Sequence, residues 1–215
     1  MLLEPSSNGD FALRYFNCDG LESSMCGNGG RCIAAFAHRE GLAGKNMIFD
    51  AFDGMHEASI LAAEGSVCLV KLQMNDAGPV RDLEDGFFLD TGSPHFVKFV
   101  RSADEVDLPG EGREIRYDPR FAPGGCNVNF VEAMDGWIMV RTYERGVENE
   151  TLSCGTGVTA SALVQARSIK LTSGFMEVST RGGNFRVHFS TEGDLFREVF
   201  LEGPAEFVFT GSVEI

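Results

Sequence analysis

Cys154-Gly155-Thr156-Gly157-Val158-Thr159-Ala160-Ser161-Ala162-Leu163 is the stretch from which the organisation of this chain follows. The glycines behind the cysteine permit close backbone approach. Beyond them, Val158, Ala162, Leu163 and Ala166 fall on one helical face, which predicts a helix over about 157–169. The same opening occurs upstream. Cys26-Gly27-Asn28-Gly29 leads into a second helical pattern, about 30–40, with Ile33, Ala34, Phe36 and Ala37 on one face and Gly41 as its stop. Ahead of the cysteines, Arg14-Tyr15-Phe16-Asn17 echoes Arg141-Thr142-Tyr143-Glu144. The cysteines stand 128 positions apart and the arginines 127. A nearly constant offset over two features reads as a duplicated domain.

Short alternating runs make up most of the rest: 11–16, 66–74, 87–90, 96–100, 128–133 and 137–143 read as strands. Toward the end, 176–179, 185–189, 195–201 and 206–210 form a meander, with a break expected at Gly203-Pro204. Many strands and only two good helices predict a mixed α/β (α+β) fold in which each sheet wraps a helix. If the second half begins near Asn75, it has about 79 residues before its cysteine, whereas the first half has 25. A symmetric first domain is therefore expected to lack roughly 50 residues at its start.

Composition narrows the function classes. A net charge of −14 repels polyanions, so neither nucleic acid nor an anionic membrane surface is expected as a partner. No apolar run approaches the roughly 20 residues needed to span a bilayer. Met1-Leu2-Leu3-Glu4-Pro5 carries no basic patch, so no signal peptide is read and the expected compartment is the cytoplasm. The six cysteines (Cys18, Cys26, Cys32, Cys68, Cys126, Cys154) are then expected to be reduced. None forms a Cys-x-x-Cys pair, and a metal site is not expected.

A cysteine opening a helix is a chemical statement. The thiolate is the reactive form, and the partial positive charge of a helix N-terminus favours it. The amides there also hold carboxylates. Two such sites in a duplicated fold suggest two thiols facing one carbon, one removing an α-proton as base and the other delivering one as acid. Amides around the α-carboxylate would spread the developing charge, and exclusion of water would protect the carbanion.

Read together, Phe16-Asn17-Cys18-Asp19-Gly20 with Met25-Cys26-Gly27-Asn28-Gly29-Gly30-Arg31-Cys32 resembles the first cysteine motif of diaminopimelate epimerases. Glu144-Arg145-Gly146-Val147 with Glu150-Thr151-Leu152-Ser153-Cys154-Gly155-Thr156-Gly157 resembles the second. Gly92-Ser93-Pro94-His95, Asn127-Val128-Asn129-Phe130-Val131 and Gly203-Pro204-Ala205 are similar to further family segments, so the resemblance covers essentially the whole chain.

The resemblance implies two pseudo-symmetric domains, each a curled, mostly antiparallel sheet around a central helix. Residues 1–78, completed by 204–215, would form the first, incomplete at its N-terminus; 79–203 would form the second. It implies Cys26 and Cys154 as acid–base residues, with His95 tuning Cys26 and Glu144 tuning Cys154. It implies Asn17, Asn127 and Arg145 as substrate ligands, with the amides of Gly27, Asn28, Gly155 and Thr156 cradling the reacting carboxylate. Ser93 stands where the family usually has Asn, and is a further expected substrate contact. The implied reaction interconverts LL- and meso-diaminopimelate, for lysine and cell-wall synthesis, without a cofactor. A homodimer is implied with it. Because of its short first domain, the 215-residue chain alone is expected to be inactive or poorly active.

Three other readings stand beside this one. A proline or hydroxyproline racemase shares the paired-cysteine logic, but that group usually has His where this chain has Asn28. Gly155-Thr156-Gly157-Val158-Thr159-Ala160 fits a dinucleotide fingerprint, but the polar Glu148-Asn149-Glu150-Thr151 precedes it instead of a buried strand. A non-catalytic remnant that binds amino acids is the third. Cys18, Cys32, Cys68 and Cys126 read as small hydrophobes.

Overall fold

The computed structural model describes residues 1–17, 20–23 and 25–212. Cys18 and Asp19, both within the first quoted motif, lie outside the described residues. The chain divides into two compact units, Met1–Leu72 with Gly203–Ile215, and Gln73–Glu202.

The first unit begins with strands β1 (Leu2–Glu4), β2 (Phe11–Phe16) and β3 (Glu22–Ser23). Helix α1 (Gly27–Arg39) and strands β4 (Asn46–Ala51), β5 (Gly54–Glu64) and β6 (Val67–Gln73) follow. The strands pair in the order β1-β2-β4-β5-β6, with β3 on the side of β2. All neighbours are antiparallel except β2 and β4, which run parallel because α1 forms the crossover between them. Alternation in β6 places Cys68, Val70 and Leu72 inward.

The second unit carries β7 (Arg81–Leu83), β8 (Gly86–Asp90), β9 (Pro94–Val100) and helix α2 (Leu108–Arg116). After these come β10 (Asn127–Ala133), β11 (Trp137–Glu144), β12 (Asn149–Thr151), helix α3 (Gly155–Ser168), β13 (Ser173–Thr180), β14 (Gly183–Glu192) and β15 (Leu195–Glu206), whose residues from Gly203 onward belong to the first unit. Within it, β10-β11-β13-β14-β15 repeats the first unit's order β1-β2-β4-β5-β6, down to the parallel pair β11 and β13 across α3 and the short β12 beside β11. The repeated sequence features are thus a repeated strand, short strand, cysteine and helix. Among the described residues, β7 to β9 and α2 have no counterpart in the first unit.

Helix α3 contacts β8, β9, β10, β11, β13 and β14, so this unit's sheet curls around it. Val158, Ala162, Leu163 and Ala166 are all fully buried, and a leucine so placed contributes about 2 kcal/mol. On the other face of the sheet, α2 closes a cluster of Phe96, Leu108, Phe121, Cys126, Val128, Phe130 and Tyr143. Strand β10 is therefore covered on both faces, by α3 and by α2. The result is a mixed α+β fold, mainly antiparallel sheet with few helices.

Several sequence-based expectations differ from the observed elements. Both helices start earlier than predicted, which places the cysteines at their N-cap positions. Phe36, expected inward, is 41% exposed because it lies to one side of the Ile33, Ala34 and Ala37 stripe. Helix α2 was not foreseen; Pro109, Gly110 and Gly112 suppress its local pattern, and an Asp107 carboxylate accepting from the Gly110 amide caps it. The break at Gly203-Pro204 does not occur, since β15 runs through to Glu206. Proline removes only its own donor, and the Pro204 carbonyl is used by the Arg31 guanidinium.

Candidate active site

In the first unit the site is built on the start of α1. Cys26 is the N-cap, with extended backbone (φ −88°, ψ 130°), and its sulfur makes no capping hydrogen bond. Its carbonyl accepts the first helical bond, from the Gly30 amide at 2.7 Å. Arg31, almost completely buried, donates from Nη1 to the Gly27 carbonyl (3.1 Å) and from Nη2 to Asn28 Oδ1 (2.9 Å), bracing the first turn. Burial lowers the Arg31 pKa from its usual value, against the opposing influence of Cys32 and Cys26. Asn17 is exposed in the loop after β2, where its carbonyl accepts from the Gly20 amide.

The residue before Cys26 is fixed by the β4–β5 hairpin. Asp53 Oδ1 accepts from the Met25 amide (2.9 Å) and lies 3.3 Å from Nε2 of the buried His56. Burial alone would raise the Asp53 carboxyl. The bonds from His56 and Met25 outweigh that and hold it below the usual carboxylate range. Neither Asp53 nor His56 carries a role in the sequence reading, since nothing in their neighbourhood along the chain points to Met25.

The second unit assembles more of the expected residues. Cys154 is the buried N-cap of α3 (φ −116°, ψ 112°), with no capping bond from its sulfur, which lies 3.4 Å from Thr156 Oγ1. Thr91 donates to the Thr156 carbonyl (2.9 Å), tying the turn before β9 to the first turn of α3. That turn carries Ser93 and leads to His95. Parallel pairing sets His95 opposite Asn127. Asn127 donates to Ser93 Oγ (2.9 Å) and to the Pro94 carbonyl (3.2 Å), and accepts from the Arg145 amide (2.9 Å). One buried asparagine thus joins Ser93, Pro94 and Arg145. Glu144 accepts from the Thr151 hydroxyl at 2.7 Å, and the Arg145 side chain is exposed.

His95 is fully buried. Burial, reinforced by the positive charge of Arg145 and only partly opposed by Asn129, pushes its imidazole down to about 3, so the ring is neutral. Asn129 carried no role in the sequence reading, yet it is the buried hub here, bonded to His95, Phe96 and Thr142. Its signal was a polar residue inside the otherwise apolar run Val128 to Val131. Gly157 is where α3 meets this hub. A Cβ there would collide with Asn129 Oδ1 and lie 3.3 Å from His95 Cε1 and from Thr142 Oγ1. Among the described residues no cluster of three or more His, Cys, Asp or Glu could hold a metal ion, and no helix is long and apolar enough to cross a membrane.

Strand β12, which precedes α3, is a short antiparallel partner of β11. Among the described residues, the strand ahead of α3 is therefore not the parallel strand that feeds a dinucleotide fingerprint.

The family model described as diaminopimelate epimerase matches residues 87–208. A diaminopimelate epimerase of Flavobacterium psychrophilum is 41% identical over 99% of this chain and 82% of its own length. The enzyme of the same name from Aquifex aeolicus is 39% identical over 94% of this chain and 74% of its own. Among solved structures, a phenazine biosynthesis protein of the PhzF family from Bacillus anthracis superposes with a TM-score of 0.74 at 14% identity, covering 96% of this chain and 83% of that one. A probable proline racemase from Agrobacterium radiobacter K84 gives 0.69 at 16% identity, covering 98% and 74%. Identities this low speak to the fold alone.

Proposed function

Because the chain belongs to the diaminopimelate epimerase family, we propose that it epimerises LL-diaminopimelate to meso-diaminopimelate with Cys26 and Cys154 as the acid–base pair. The supporting observation is that both cysteines are the N-caps of equivalent helices, and that neither sulfur is spent on capping. Each therefore sits beside first-turn amides that can hold a carboxylate.

One sulfur, as thiolate, takes the α-proton, and the C–H electron pair passes to the carbanion and its carboxylate. The other sulfur, as thiol, returns a proton on the opposite face and becomes the thiolate. The amides of Gly27, Asn28, Gly155 and Thr156 stabilise the charge that develops. Asn17, Asn127, Ser93 and Arg145 hold the substrate's remaining polar groups. Glu144 and His95 set the charge state around the thiols. We place the reaction in lysine and cell-wall synthesis, in the cytoplasm, with the domain division read from the sequence and a homodimer as the working assembly.

The test is α-proton exchange in deuterated water with LL- and meso-diaminopimelate, comparing the unmutated chain, whose own turnover tests the expectation of poor activity, with Cys26→Ala and Cys154→Ala. Both variants are expected to lose inversion. An alanine variant inverting at the unmutated rate would remove that cysteine from the mechanism. Proline serves as the control substrate and is expected to show no exchange.

A further inference from the structure

We propose that Asn129 locks His95 as the neutral Nε2–H tautomer, so that the imidazole serves the reaction as a hydrogen-bond donor to an anion and not as a proton acceptor. The argument is one of forced roles. The Phe96 carbonyl can only accept, so the Asn129 atom 3.1 Å from it is the amide nitrogen. Its oxygen is then left to the Thr142 hydroxyl, 3.0 Å away. The same amide nitrogen lies 3.1 Å from His95 Nδ1. An amide nitrogen donates and does not accept, so Nδ1 presents its lone pair. A neutral imidazole with a bare Nδ1 carries its proton on Nε2.

The rest of the pocket favours the same state. The Arg145 charge and the burial of the ring both oppose a second proton. Gly157 brings α3 against the Cε1 edge, which limits rotation of the ring. Among the described residues Nε2 is buried without a hydrogen-bond partner. A buried donor with no acceptor is unfavourable, and an anion arriving beside it, a substrate carboxylate or a thiolate, would relieve this. Asn129 is then a positioning residue, acting through His95. The idea rests on the reading that His95 belongs to the reacting site, and it revises the role given to that residue: a ring so held cannot take a proton from a thiol.

The test is nitrogen NMR on the full chain labelled at histidine, with the His95 signal assigned by its loss in His95→Gln. The expected pattern is a protonated Nε2 and a bare Nδ1, unchanged from about pH 8 to about pH 5. A proton on Nδ1, or an imidazolium in that range, would overturn the proposal. Asn129→Asp exchanges the donor for an acceptor, and should move the proton to Nδ1 or add a second one, with inversion falling by at least about tenfold. Asn129→Ala should leave a mixture of tautomers, and an unchanged pattern there would remove Asn129 from the lock. Should either variant fail to fold, the tautomer of the unmutated chain still decides. Saturation with meso-diaminopimelate should shift the Nε2 resonance; a shift that persists in the Cys26→Ala and Cys154→Ala variants assigns the acceptor to the substrate carboxylate, and one lost with a cysteine assigns it to that thiolate. If the tautomer is as expected but His95→Gln and Asn129→Asp invert at the unmutated rate, the lock stands and the catalytic role of His95 falls.

Discussion

Arg141 and Glu150 are joined through both prongs of the guanidinium, Nε to Oε1 and Nη2 to Oε2, each at 2.8 Å. The pair pins β12 against β11 just ahead of Cys154, and Nη1 of the same arginine donates to the Ala103 carbonyl. Arg14 and Glu22 repeat the fork between β2 and β3 ahead of Cys26, at 2.9 and 2.8 Å. The duplicated arginine of the sequence is therefore one half of a duplicated clamp. Each clamp holds the segment that delivers a cysteine to its helix.

The two clamps differ in burial, and this sets the first prediction. Arg141 is only 7% exposed, whereas Arg14 is 42% exposed. Glu150→Ala leaves a buried guanidinium without its main partner and should cost about 2 kcal/mol in urea unfolding. Glu22→Ala should cost clearly less, with an effect that fades as salt is added. Equal losses at the two sites would contradict the burial argument.

Acid stability should carry a signature of His95. Its folded pKa of about 3 lies below the usual 6.5. Between those values the unfolded chain binds the proton and the folded chain does not, so stability falls as pH drops from about 6.5 toward about 3. Above that window the contribution of the neutral ring is fully present. In His95→Gln the slope of unfolding free energy against pH should be shallower across the window. Parallel slopes in the two proteins would show that the ring is not held neutral.

Gly157→Ala tests the contact between α3 and the polar hub. Alanine is the better helix former, so propensity alone predicts a gain. Collision with Asn129 Oδ1, which is tied down by the Thr142 hydroxyl, predicts instead a loss of about 2 kcal/mol and of inversion together. A stabilised, fully active variant would show that the hub can move aside.

The thiols should separate in a timed alkylation followed by peptide mapping. Burial pushes Cys126 up to about 12, despite the nearby amide bond and the charges of Arg116 and Arg145. At about pH 8 only on the order of one molecule in ten thousand carries that thiolate. Cys32 is exposed, and although burial of its sulfur raises that thiol as well, it should label before Cys126, which stays unlabelled until the chain unfolds. Equal labelling rates in the folded protein would refute the assignment of Cys126 as a core residue.

The sequence alone determined the features that reside in contiguous residues: the duplicated Cys-Gly-x-Gly openings, the apolar face of α3 and the alternating strands. Helix starts and strand faces are written in neighbours a few positions apart, where local sterics and periodicity act. Tertiary structure alone decided which distant polar groups meet. Asn129 becomes the partner of His95, 34 positions away, only through the parallel register of β9 with β10 and the docking of α3 at Gly157. In the same way Asp53 reaches Met25 by the folding back of a hairpin, and β15 absorbs Pro204 because its carbonyl finds Arg31. Strand register and helix docking are set by the summed burial of whole faces, so a lone polar residue in an apolar run reveals its partner only once the sheet is assembled.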